Sequence, residues 1–225
     1  MKTNQQRSVW TTSHKVTLGA LLAAQLAIAY FVGAGHLLTN TGLVIFPPIA
    51  ITVFVPVALF LTAYATSGTF RNFVLAQDLR LLTALQLWRV VGFSFLLLYA
   101  FDVLPGLFAW PAGLGDTIVG LAAFYVLMQM DRDPDYGTSS GYVRFQLFGL
   151  LDFIGALGTS GLASGAIPGL VPGGVTSAAM DIWPLNLFPS FIVPVFIILQ
   201  LTALLKVREL RRQSAGQQAG NLQAV

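Results

Sequence analysis

Val16–Phe70 reads VTLGALLAAQLAIAYFVGAGHLLTNTGLVIFPPIAITVFVPVALFLTAYATSGTF, 55 residues without a single Lys, Arg, Asp or Glu. A membrane-crossing helix needs about 20 predominantly apolar residues, so this stretch holds two spans, 16–35 and 43–66, with a turn between them. The rest of the chain agrees. Hydrophobic residues fill 56% of the 225 positions and charged ones 9%, against about 25% charged in ordinary soluble domains. Such a composition cannot coat a water-exposed surface. Cysteine is absent, which excludes disulfides, thiolate catalysis and cysteine-ligated zinc or iron–sulfur centres.

Working outward, four more apolar blocks of span length follow at 81–101, 114–130, 144–164 and 184–205. Lipid offers backbone groups no water, so only helices or closed barrels cross it. These blocks lack the alternating pattern of barrel strands. The expectation is an all-α, polytopic bundle of six transmembrane helices in one domain, residues 16–206. It is preceded by a short segment, 1–15, and followed by a disordered tail, 207–225. Lys2, Arg7 and Lys15 before an apolar run have the layout of a secretory signal, but the run continues to Gly35. That length suits a retained anchor better than a signal core of about 7 to 15 residues.

Charge fixes the expected orientation. Lys2, Arg7, Lys15, Arg71, Arg80, Arg132, Arg144, Lys206, Arg208, Arg211 and Arg212 all fall on one side of a six-span arrangement, while the other side holds Asp102, Asp116 and Asp181 with no Lys or Arg. The positive-inside rule then places both termini in the cytoplasm. The net charge of +3 reads as orientation and not as a nucleic-acid footprint; the expected partner is the lipid bilayer. Thr69–Arg80 and the DRDPDYGTSSG loop, 131–141, read as solvated connections on the basic side. The opposite loops, 103–115 (VLPGLFAWPAGLG) and 165–184 (GAIPGLVPGGVTSAAMDIWP), are rich in Gly and Pro yet mostly apolar. They fit either a re-entrant mouth over the bundle or loops lying in the headgroup layer, with Trp110 and Trp183 as interfacial anchors.

Two charges fall inside spans. Arg89 and Asp152 each lie eight residues into a helix that rises from the basic side, so at about 1.5 Å per residue both sit about 12 Å above its start. A lone charge at that depth costs about 2.5–3.5 kcal/mol on insertion scales, and the two are expected to form an intramembrane ion pair, either a fixed clasp or a gate. Gln86 and Thr159 are their polar neighbours, and Gly149 and Ala156 beside Asp152 let helices approach. Asp102, Asp116 and Asp181 form a candidate outer-face carboxylate group for cations or protons. Asp116, after Gly113-Leu114-Gly115, also has the position of a helix N-cap. Phe46-Pro47, Pro56, Phe188-Pro189 and Pro194 predict kinks, and their loose correspondence between the second and sixth spans is no better than chance.

No catalytic, metal or cofactor constellation emerges. His14 and His36 lie 22 residues apart at opposite ends of the first span, too far for one haem iron. No hydrolase, zincin, nucleotide or dinucleotide motif is present. Gly19, Ala23 and Ala27 make a small-residue stripe suited to helix packing, between subunits included.

Residues 86–120, with Trp88-Arg89, Gly92, Pro105, Phe108-Ala109, Pro111-Ala112-Gly113 and Gly115-Asp116, resemble small uncharacterised multipass membrane proteins of bacteria. That resemblance implies a bacterial inner-membrane address and no activity. Three functions remain open at this level: a small-solute or ion transport or permeation component, a non-catalytic membrane subunit or scaffold, and, least supported, a membrane enzyme acting on lipid or quinone. A cavity reaching Arg89 and Asp152 favours the first, and a dry packed interior the second.

Overall fold

A computed structural model describes residues 12–40, 47–171 and 174–223. Among them the regular structure is helical throughout and six helices are long and apolar enough to cross a membrane: Lys15–Ala34, Pro48–Thr66, Leu79–Ala100, Gly106–Arg132, Ser140–Leu162 and Phe188–Gln217. The protein is an all-α, integral membrane bundle. Residues Leu43–Phe46 of the expected second span, together with Lys2 and Arg7, lie outside the described residues.

The first span, α1 (Thr12–Ala34), and the second, α2 (Ile51–Thr66), are the least buried of the six. A short α3 (Gly68–Leu75), capped by the Ser67 hydroxyl accepting from the Phe70 N–H, turns the chain back. The third span is composite: α4 (Leu79–Leu85), a 3-10 stretch Gln86–Phe93, and α5 (Ser94–Ala100). The Asp78 side chain caps α4 by accepting from the N–H groups of Arg80 and Leu81. Next come α6 (Gly106–Arg132) and α7 (Ser140–Leu162), then a π-helical turn at Phe188–Ile192 that leads into α8 (Val193–Gln223).

Two boundaries differ from the sequence expectation. Helix α6 begins at Gly106, behind Pro105 as its N-cap, so most of the Gly/Pro-rich stretch read as a loop is helix. Gly and Pro signal turns in water but are tolerated in lipid, where small residues serve close helix contact. The C-terminal segment expected to be a disordered tail continues α8 to Gln223. Arg211 pins it by donating through Nε (2.8 Å) and Nη2 (2.6 Å) to the Thr138 carbonyl.

The interior has two apolar clusters. Near the end bearing the basic residues, Leu79, Leu82, Val119, Ala123, Val126, Tyr142, Phe145, Ala203 and Val207 pack together. Toward the opposite end, Phe95, Leu104, Phe108, Ala109, Ala112, Ala163 and Met180 do the same. Met180 reaches the second cluster because residues 174–187 fold back over the helix ends. The Ser177 N–H and Oγ donate to the carbonyls of Ala163 (2.9 Å) and Ser160 (2.7 Å). The π turn joins α1 and α2 to the rest. Ser190 O accepts from Gln25 Nε2 (3.3 Å), Thr52 Oγ1 lies 3.0 Å from Ser190 Oγ, and Asn186 Nδ2 donates to Ala29 O (2.6 Å). Gly19, Ala23 and Ala27 are exposed and make no packing seam among the described residues.

Asp181 is buried at this opposite end and accepts the Asn40 N–H at 2.7 Å, tying the end of the first span to the folded-back segment. Burial raises its carboxyl group to about 6, with the Asn40 bond opposing the shift. Folding therefore binds the proton more tightly than the unfolded chain, whose Asp titrates near 3.9. The contribution is fully present below that value and is lost as pH rises through the folded one. Thermal unfolding in detergent across this range should show stability falling with rising pH by more in the wild type than in Asp181→Asn, whose amide oxygen still accepts from Asn40. Parallel profiles would show that Asp181 is not held in this way.

Candidate functional site

The site starts from an irregularity in the third span. A 3-10 helix has 3.0 residues per turn, so residues three apart eclipse one another, and runs beyond three or four residues are uncommon. Here it lasts eight residues, Gln86–Phe93, and aligns Gln86, Arg89 and Gly92 on one buried face. Thr83, one turn earlier on α4, continues the stripe and is also buried.

Arg89 projects from that stripe into the bundle. Its Nε donates to Asp116 Oδ1 of α6 at 2.7 Å, its Nη2 to Asp152 Oδ2 of α7, and its Nη1 to the Gly149 carbonyl at 3.2 Å. The Phe153 ring lies against the guanidinium with its centroid 3.8 Å away, a cation–π contact. The side chains of Arg89, Asp116 and Asp152 are 0%, 14% and 8% exposed. One guanidinium thus bridges the third, fourth and fifth spans. With all three groups ionised, the cluster carries one negative charge in excess.

Glycines make room for it. A Cβ at Gly115 would fall 1.6 Å from Asp152 Oδ1, one at Gly92 2.3 Å from Asp116 Cβ, and one at Gly149 1.9 Å from Gln200 Nε2 and 3.0 Å from Arg89 Nη1. Each charged group is therefore seated against a helix that lacks a side chain at that point. Gln200 of α8 joins the cluster the same way, sharing the space over Gly149 with Arg89.

Beside the triad lies a cavity of about 300 Å³. Its lining is mostly apolar, with Phe153, Phe188, Phe191 and Phe196 as aromatic walls and Trp88 and Val91 at the rim, and Arg89 and Asp116 border it on one side. Trp88 is 70% exposed, so the cavity meets the outer surface of the bundle. A smaller space of about 60 Å³, bordered by Asp116, Phe95, Phe108, Phe153, Ser160 and Met180, lies on its other flank. Asp116 faces both.

Below the triad, toward the basic end, stand Gln86 and Gln146, and beside it stands Gln200, polar groups that span length alone does not reveal. Gln86, Gln146 and Gln200 are fully buried, and none of their amide nitrogens or oxygens has a hydrogen-bond partner among the described residues. An unsatisfied buried polar group costs about 1–3 kcal/mol. Further down, Thr83 Oγ1 and the Tyr142 hydroxyl lie 3.1 Å apart.

The sequence candidates are dispersed accordingly. Arg89 and Asp152 meet, and Gln86 shares the Arg89 stripe. Thr159 does not belong to the cluster, because its hydroxyl donates to its own helix at Gly155 O (2.8 Å). The three carboxylates read as an outer-face group do not assemble. Asp116 is interior to α6, neither an N-cap nor at the outer face; Asp181 is committed to Asn40. Asp102 is exposed with φ 55° and closes the end of α5, its N–H donating to Tyr99 O (3.0 Å). Asp tolerates that left-handed conformation better than most residues. Sequence reading missed Asp116 as a partner of Arg89, along with Gln146 and Gln200. The available signal was the three-residue period of Thr83, Gln86, Arg89 and Gly92, which continues a polar face where a 3.6-residue helix would lose it.

Among the described residues no three His, Cys, Asp or Glu side chains cluster as metal ligands. Residues 46–208 match the family described as "Domain of unknown function (DUF8737)". No curated protein and no solved structure matches the chain.

The charge count makes the three substitutions unequal. Arg89→Leu strands two buried carboxylates and should cost about 3–5 kcal/mol. Asp116→Asn or Asp152→Asn leaves a neutral one-to-one pair and should cost much less. Adding both Asn substitutions to Arg89→Leu should recover most of the loss, measured by thermal unfolding of the purified protein in detergent. A triple variant no more stable than Arg89→Leu alone would mean that the carboxylates do not depend on the guanidinium.

Proposed function

The chain belongs to the DUF8737 family, and from the geometry of its buried triad we propose that it is a small-solute or ion transport or permeation component whose binding centre is Arg89, Asp116 and Asp152. The observation that carries this reading is the excess carboxylate: one guanidinium faces two acids at a depth where net charge is expensive, and Asp116 borders a cavity. A proton or a cationic group taken up there neutralises the site, and its release restores the charge. Binding and protonation then compete for the same carboxylate, which is the requirement for coupling a solute to a proton gradient. The asymmetric placement of the basic residues supports a bundle with its basic end in the cytoplasm, and the resemblance in residues 86–120 supports a bacterial inner membrane.

A scaffold remains the competing reading, favoured by the completeness of the Arg89 contacts, since each of its nitrogens already has a partner. Flux separates the two. In proteoliposomes with an imposed pH gradient, addition of a transported cation from a panel of inorganic and small organic ions should dissipate the gradient faster than in empty vesicles. Asp116→Asn should remove that coupled flux while the protein remains folded. Flux equal to that of empty vesicles across the panel, or an undiminished rate in Asp116→Asn, would favour the scaffold.

A further inference from the structure

Between the triad and the basic end, polar side chains continue without a break in level. Asp78, exposed at the start of α4, lies near both Tyr142 and Lys206, and Lys206 Nζ donates to the Gln77 carbonyl. The Tyr142 hydroxyl meets Thr83 Oγ1 at 3.1 Å. One turn higher on the same two helices come Gln86 and Gln146, and one turn above them Arg89 donates to the Gly149 carbonyl. Gln86 and Gln146 are therefore held at one level, between a contact below and a contact above. The Gln146 amide lies beside the Tyr142 hydroxyl. Gln200 arrives from α8 beside Arg89, over Gly149.

Three fully buried amides with both donors and acceptors unsatisfied are not what a dry packing seam selects. Leu fills such a position without the desolvation cost. Amides of this kind are satisfied when water occupies the seam, each molecule making two to four hydrogen bonds. We infer that Gln86, Gln146 and Gln200 line a hydrated proton path that runs from the Asp78–Lys206 end, past Thr83 and Tyr142, to the Arg89–Asp116–Asp152 triad. The inference rests on the proposed binding centre for its purpose but not for its observations. A proton enters from bulk water at the basic end, moves along water and hydroxyl groups, and arrives at a triad carboxylate; no other reactant is consumed.

Because the chain has no native cysteine, water access can be read directly. Gln86→Cys, Gln146→Cys and Gln200→Cys should each react with a small polar thiol reagent applied to the basic side, since alkylation needs a hydrated thiolate. Ala123→Cys, in the adjacent apolar cluster, should not react. In the unsubstituted protein, radiolysis of internal water should oxidise Tyr142 although it is fully buried, and should spare the buried Phe60 of α2. Cysteines as inert as the Ala123→Cys control, or an unmodified Tyr142, would overturn the path. Labelled cysteines without any coupled flux would leave the hydrated path standing and remove the transport reading. Coupled flux with inert cysteines would do the reverse.

Discussion

A guanidinium held between two carboxylates inside an apolar bundle is the interaction on which the remaining features depend. Arg89 at that depth carries an insertion cost of about 2.5–3.5 kcal/mol when alone. Asp116, Asp152, the Gly149 carbonyl and the Phe153 ring distribute the compensation over α6 and α7. The same contacts fix the rotation of three spans about their axes, because each acid must face Arg89 to be neutralised. A single carboxylate would have sufficed to neutralise Arg89. The second leaves the fully ionised cluster with one negative charge in excess, which the proposed uptake of a proton or cation would balance.

Local backbone geometry serves this arrangement. The 3-10 stretch Gln86–Phe93 and the π turn Phe188–Ile192 are both departures from the α-helix, and both border the same cavity. Each such departure changes which residues share a face and which carbonyls are free, and π turns recur at functional sites. Here the 3-10 turn keeps Gln86, Arg89 and Gly92 in one line, and the π turn leaves Ser190 O for Gln25. Gly92, Gly115 and Gly149 then admit the charged groups where a methyl group would collide with them.

The fold was largely legible in the sequence, because lipid imposes a length and composition constraint that no packing detail overrides. The uncharged run from Val16 to Phe70 and the later apolar blocks are sufficient for a six-helix membrane bundle. The encounter of Arg89 with Asp152 was legible too, from their equal depth and opposite charge. Asp116 was not, because Gly113, Pro111 and Gly115 carry the signs of a turn in water and hid a helix that begins at Gly106. The glutamines were missed for another reason: a neutral amide leaves no mark in charge counts, and its burial becomes costly only once neighbouring helices are in place. The sequence also supplied no means of deciding that Asp181 turns inward to Asn40, since that bond joins residues 141 positions apart.

The account turns on the charge of the triad. If Arg89 cannot neutralise both acids, then in the absence of any other cation one of them holds a proton, and in the proposed reading that proton is the group a substrate displaces. Infrared difference spectroscopy of the lipid-embedded protein, with only a bulky impermeant counterion present, measures this. The account predicts a protonated carboxyl stretch in the wild type that disappears in Asp116→Asn or in Asp152→Asn. Carboxylate bands alone in the wild type, with both acids ionised and no cation bound, would contradict it.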